Sequence, residues 1–105
     1  MSHAVDHAQN RIEHMRWVIL VCLMEARPNT CQETLIHVGV RGAIEDVRAE
    51  EIRTQLDYLQ RAEFVSIHRD EQTPRWRVEI TFKGINYAEW NAPAMPGIAR
   101  PRKYF

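Results

Sequence analysis

The chain has 105 residues, with 14 basic side chains against 14 acidic ones, 45% hydrophobic and 27% charged. That length holds one small domain with a thin core, and the balance of apolar and charged residues excludes a wholly disordered chain. A formal net charge of zero excludes the overall basic excess of a non-specific nucleic-acid binder, although a local cluster of cations remains open.

Residues 1–7 read as a flexible start. From 8 to 26, Ala8, Ile12, Met15, Ile19, Cys22 and Ala26 recur at helical spacing. The run from Trp17 to Met24 is apolar on nearly every side, which predicts a central helix covered by other elements. It is far shorter than the ~20 residues of a membrane span, and polar residues precede it, so no membrane partner and no secretory leader are expected. The reading is a soluble, cytoplasmic protein. Two cysteines are too few for a disulfide scaffold, and Cys22 reads as a buried thiol acting as a small hydrophobe.

Arg27-Pro28-Asn29 breaks the first helix. Thr30-Cys31-Gln32-Glu33 has the spacing of a capping box, so a short second helix is expected to start there and to end near Gly39 and Gly42. A third helix is expected over 48–62. Val47, Ile52, Leu56 and Leu59 form its buried stripe; Arg53, Thr54, Asp57, Gln60 and Arg61 face outward. Two strands follow, at 64–69 and 75–82, joined by a loop from Asp70 to Pro74. In the second, Trp76, Val78, Ile80 and Phe82 take the apolar face, while Arg75, Arg77, Glu79 and Thr81 take the other. Thr81 then caps a last helix reaching about residue 90. Residues 92–105 read as an extended basic tail beyond a domain at 8–91.

This order of helices and strands, with Val47 to Val65 as third helix and strand entry, resembles the winged helix-turn-helix superfamily, an α+β fold of three helices, a two-stranded β-wing, a C-terminal helix and an extended tail. Ile80-Thr81-Phe82-Lys83-Gly84-Ile85 is similar to the Leu-Thr-x-x-Gly segment after the wing in many of its regulators. Arg53-Thr54-x-Leu56-x-Tyr58-Leu59 and Met95-Pro96-Gly97-Ile98-Ala99-Arg100-Pro101 resemble a small family of Mu-like phage and prophage proteins, which has no assigned activity to carry over. Glu63 stands where the superfamily often has glycine, and Arg48 stands where a serine or threonine cap is common.

The resemblance implies double-stranded DNA as partner, with the third helix in the major groove. Arg41, Arg48, Thr54 and Gln55 are then the groove residues, arginine suiting guanine and glutamine adenine. Arg69, Arg75 and Arg77 are the wing residues near phosphates; the competing reading of this strand face is a solvated surface with ordinary charges. Glu45, Asp46, Glu50 and Glu51 crowd the same end and repel phosphates if they face them. Two functions are carried forward. One is a phage or prophage transcriptional regulator or accessory factor. The other is a non-enzymatic phage adaptor that binds a phage or host protein through the winged helix and the tail. A homodimer fits both. No catalytic motif, cofactor loop or metal-ligand spacing is present, so no enzyme, no cofactor and no metal are expected; His3, His7 and His14 are the nearest approach to a metal set.

Overall fold

The computed structural model describes residues 6–103. Helix α1, His7–Ala26, opens on Asp6, whose carboxylate accepts from the Gln9 N–H at 3.0 Å. Its apolar run is covered as the all-round hydrophobicity requires: α1 touches three other helices and the central strand of the sheet. Met15, Ile19, Leu20 and Leu23 are buried there, each contributing on the order of 1.5–3 kcal/mol by leaving water. Cys22 is only half-buried, lying against Gly39.

The second helix does not start with a capping box at Thr30. Cys31–Gln32 is instead a short strand, β1, and α2 is Glu33–Arg41. Gln32, at the cap position, makes no side-chain cap bond. Two stronger partners compete for this stretch. The backbone of β1 pairs with the last strand, Cys31 opposite Val78 and Gln32 opposite Arg77, burying the Cys31 side chain. The Glu33 carboxylate turns away from the helix end to a bidentate pair with Arg53 and to the Trp76 N–H at 3.2 Å.

Helix α3, Ala49–Arg61, follows the expected stripe, with Ile52, Leu56 and Leu59 buried. Glu51 accepts from the Arg48 N–H at 2.9 Å, half of a capping box; a guanidinium has no acceptor with which to return the bond. The helix ends in a Schellman motif: Phe64 N–H to Leu59 O and Glu63 N–H to Gln60 O, both 2.9 Å. Glu63 holds the left-handed position with φ 67°, where glycine is the usual solution. Glu63→Gly is therefore expected to stabilise the domain by about 0.5 kcal/mol, the relief of strain exceeding glycine's extra chain entropy. A melting temperature that stays level or falls would show that Glu63 is at ease there.

The hairpin is β2, Val65–Asp70, and β3, Thr73–Ile80, joined by Glu71 and Gln72 alone. The strands are longer toward the tip than the proline suggested, and Pro74 lies inside β3. The three strands form one antiparallel sheet in the order β1-β3-β2. Thr81 caps α4, Phe82–Ala88, accepting from the Gly84 N–H at 3.1 Å. This corrects the reading of Phe82 as a core residue: it is the first residue of α4 and is 78% exposed. The alternating strand pattern stops at Ile80, because the cap at Thr81 redirects the chain.

Residues 92–103 contain no helix or strand, yet they are not a free tail. Ile98 is 4% exposed in the core, the Ala99 N–H donates to Glu13 O, and Trp90 Nε1 donates to Pro101 O. The segment is a strap across α1 and α4.

Candidate nucleic-acid interface

The candidate residues lie at the end of α2, at the start of α3 and on the hairpin; β3 itself runs beside the start of α2, where Arg75 lines a cleft with Glu33 and His37. Arg41 is the last residue of α2 and is exposed. Arg48 occupies the cap of α3 with its side chain exposed, and it pairs with Glu50. Thr54 is exposed on α3, its hydroxyl donating to Glu50 O at 3.0 Å.

Gln55 does not belong to this surface. It is 6% exposed and accepts from Arg16 Nε at 2.7 Å inside the domain. It stands three residues after Ile52, on the buried stripe, and the guanidinium satisfies the amide that burial would otherwise leave unpaired.

Arg69 lines the same groove as Arg77 but, unlike Arg75 and Arg77, it is engaged by α3. It lies directly opposite Trp76, so its side chain shares that residue's face. There it stacks 4.4 Å from the Trp76 ring centroid and pairs with Asp57 of α3 at 3.1 Å. Arg53 stacks on the same ring at 4.6 Å and donates to Pro74 O at 2.6 Å. These contacts fasten the hairpin to α3. Arg75 and Arg77 alternate onto the other face and are both exposed. Arg75 lines a cleft of about 380 Å³ between α2 and α3, together with Glu33, Glu50 and Arg53. Arg77 lines a separate groove beside the hairpin loop with His68.

The acidic crowd at the start of α3 is largely tied up by cations of the same chain. Arg11, from α1, reaches Glu51 and, at 3.0 Å, Asp46. This guanidinium holds the Glu51 and Asp46 carboxyls below their ordinary values, and its own pKa is raised in return. Arg53 does the same for Glu33. Arg48 covers Glu50 and Arg69 covers Asp57. By contrast, the side chains of Arg41, Arg75 and Arg77 make no ion pair among the described residues. Arg75 does act at longer range on Glu33, adding to the lowering of its carboxyl.

Sequence reasoning missed Arg11 and Arg16 altogether, and it left Arg53 as an outward charge. Each meets partners from 20 to 81 residues away, a separation that no local spacing encodes.

A pH dependence follows. Glu33 and Glu51 have folded values below the ordinary 4.5, so their pairs contribute stability that is complete above that value and lost as pH falls through the lowered ones. The melting temperature is expected to be level from about pH 7 to 5 and to fall below about 4.5, with Glu33→Gln removing part of that fall. An equally steep acid limb in Glu33→Gln would place its origin elsewhere.

Among the described residues no group of three or more His, Cys, Asp or Glu side chains is placed to hold a metal ion, and His3 lies outside those residues. No helix among them is long and apolar enough to cross a membrane. Comparison of the chain with protein-family models, curated proteins and solved structures finds no match.

Proposed function

We propose that this protein is a winged-helix DNA-binding protein that serves as a phage or prophage transcriptional regulator or accessory factor. The element order supports this: helix, strand, two helices, a two-stranded hairpin and a last helix, with the strands in the order β1-β3-β2. In this reading the first turns of α3 enter the major groove, bringing Arg48 and Thr54 to base edges. Arg41, Arg75 and Arg77 take phosphates, and the hairpin is the wing. Gln55 and Arg69 have no part in it.

One observation carries the proposal. Of the acids that crowd the start of α3, Asp46, Glu50 and Glu51 are paired within the chain and the exposed Glu45 is not, whereas Arg41, Arg75 and Arg77 are exposed without an ion pair among the described residues. Three cations per chain give a slope of log affinity against log salt of about −2.7, or about a fortyfold loss between 50 and 200 mM salt. Fluorescence anisotropy of the full chain with random duplex DNA reads this directly. Folded protein that shows no salt-dependent binding at low salt rules the proposal out.

The adaptor reading keeps one support of its own. Leu35 and Val38, three apart on α2, are 63% and 59% exposed and offer a small apolar face. The strap no longer serves that reading as a free docking arm, because Ile98 is already buried in the chain's own core.

A further inference from the structure

One side chain of α1 joins the strap to α3. Arg16 Nη1 donates to Gly97 O at 2.8 Å and Nε donates to Gln55 Oε1 at 2.7 Å. The face of the same guanidinium lies 3.4 Å from the centroid of the Tyr58 ring. A planar fork suits this combination: it donates in its plane to two acceptors and stacks through its face, which an ammonium does not. Gln55 and Tyr58 are three apart on α3, so both point to the side of the helix that meets α1. Gln55 is the one polar side chain among the buried residues described.

The strap fits this arrangement closely. Gly97 has φ +96°, and a Cβ there would come within 2.4 Å of Tyr58 Oη and 3.4 Å of Arg16 Nη1. On either side the strap is anchored to elements other than α3. Ala99 N–H donates to Glu13 O at 3.1 Å, Tyr87 Oη donates to Ile98 O at 3.3 Å, and Arg100 Nη1 donates to Tyr87 O at 3.1 Å. Arg16 therefore links the strap to α3.

We propose that Arg16 is a positioning residue which transmits the docking of the strap to α3. By holding Gln55 and Tyr58 inward it fixes the rotation of α3 about its axis, and so the direction in which the neighbouring Thr54 faces. A helix turns by about 100° per residue, so a small rotation at Gln55 re-aims Thr54 and Arg48 together. Its consequence for DNA rests on the function proposed above; the coupling between strap and α3 does not.

The test uses the full chain as wild type, Arg16→Lys, Gly97→Ala and the double variant, all at a temperature where circular dichroism shows each folded. Amide spectra and titration of random duplex DNA are then compared. Both single variants are expected to shift the amides of residues 48–51, a turn or more from Gln55 and Tyr58, the α3 residues that Arg16 and Gly97 meet. They are expected to weaken duplex binding about tenfold, non-additively in the double variant, since both break the same link. The salt slope is expected to stay at the wild-type value, because no phosphate contact is lost. Tyr58→Phe, which removes the atom nearest the new methyl group, is expected to recover most of the loss in Gly97→Ala. Shifts confined to residues touching positions 16 and 97, or losses that simply multiply, overturn the proposal. If Arg16→Lys does not fold, Gly97→Ala with and without Tyr58→Phe decides it. A wild type that binds no duplex removes the DNA reading alone, and the amide shifts still settle the coupling.

Discussion

Gly84→Ala is expected to destabilise the domain by about 3 kcal/mol, although an alanine inside a helix normally gains about 1 kcal/mol over glycine. The reason is space. A Cβ at position 84 would lie 2.3 Å from Phe64 O, 2.7 Å from Ile80 Cγ1 and 3.2 Å from the Phe64 carbonyl carbon. A flexible side-chain end can yield, but a backbone carbonyl in use cannot do so freely. Phe64 O accepts from the Thr81 N–H at 3.0 Å, the bond that starts the turn into α4. Moving α4 outward to admit a methyl group strains that bond and the Thr81 cap on Gly84, and it loosens Phe64 against Tyr87, whose rings stack at 5.1 Å. Against a total stability of about 5–15 kcal/mol for a domain of this size, a loss of 3 lowers the melting temperature by about 12–24 °C. Gly42→Ala is the control. The nearest atom to its Cβ is Gly39 O at 3.3 Å, and its φ of −61° suits any residue, so little change is expected. Thermal melts of both variants decide the matter; equal melting temperatures would mean that α4 shifts at no cost.

Gly84 also marks the boundary between what the sequence displays and what it does not. The Thr81 cap was legible, because a threonine before a helix acts within three residues. The third helix was legible because Ile52, Leu56 and Leu59 repeat at its period; Glu63, in place of the superfamily's glycine, spoke against the left-handed end that the helix nevertheless adopts. The errors share a cause: local patterns lost to partners far along the chain. Thr30-Cys31-Gln32-Glu33 has the form of a cap, but β3 took the backbone and Arg53 took the carboxylate. Gln55 was placed in the groove through the resemblance and glutamine's fit to adenine, although its position three after Ile52 lies on the apolar stripe; Arg16, 39 residues earlier, makes the burial tolerable. Phe82 extended a strand alternation by one step after the Thr81 cap had already ended it. Proline and glycine made residues 92–103 look unattached, yet irregular backbone docks well when carbonyls such as those of Gly97 and Ile98 find donors on the domain.

The paired reversal Arg75→Glu with Arg77→Glu is expected to abolish duplex binding while leaving the fold intact. Both side chains are exposed, and neither makes an ion pair among the described residues, so little stability is at stake. Binding is another matter. Each cation that contacts a phosphate adds about 0.9 to the salt slope, so losing two lowers it by about 1.8. Two carboxylates facing the same phosphates then add repulsion, and at 50 mM salt an affinity loss of a hundredfold or more is expected. The arginines line different clefts, so each single reversal should remove about 0.9 of slope independently. Overall charge is the competing explanation, since four units change in a chain of net charge zero. Arg27→Glu with Lys83→Glu makes the same change at exposed positions on other elements, after α1 and in α4. Duplex titrations of the two double variants at matched salt separate the cases. If both lose affinity alike, the attraction belongs to the whole protein and the hairpin is not a wing on phosphates. If only the Arg75 and Arg77 pair loses it, with the slope falling by about two, that strand face contacts the backbone. If neither loses it, the phosphate contacts must come from Arg41 and the start of α3, where Arg48 would have to leave Glu50 to take part.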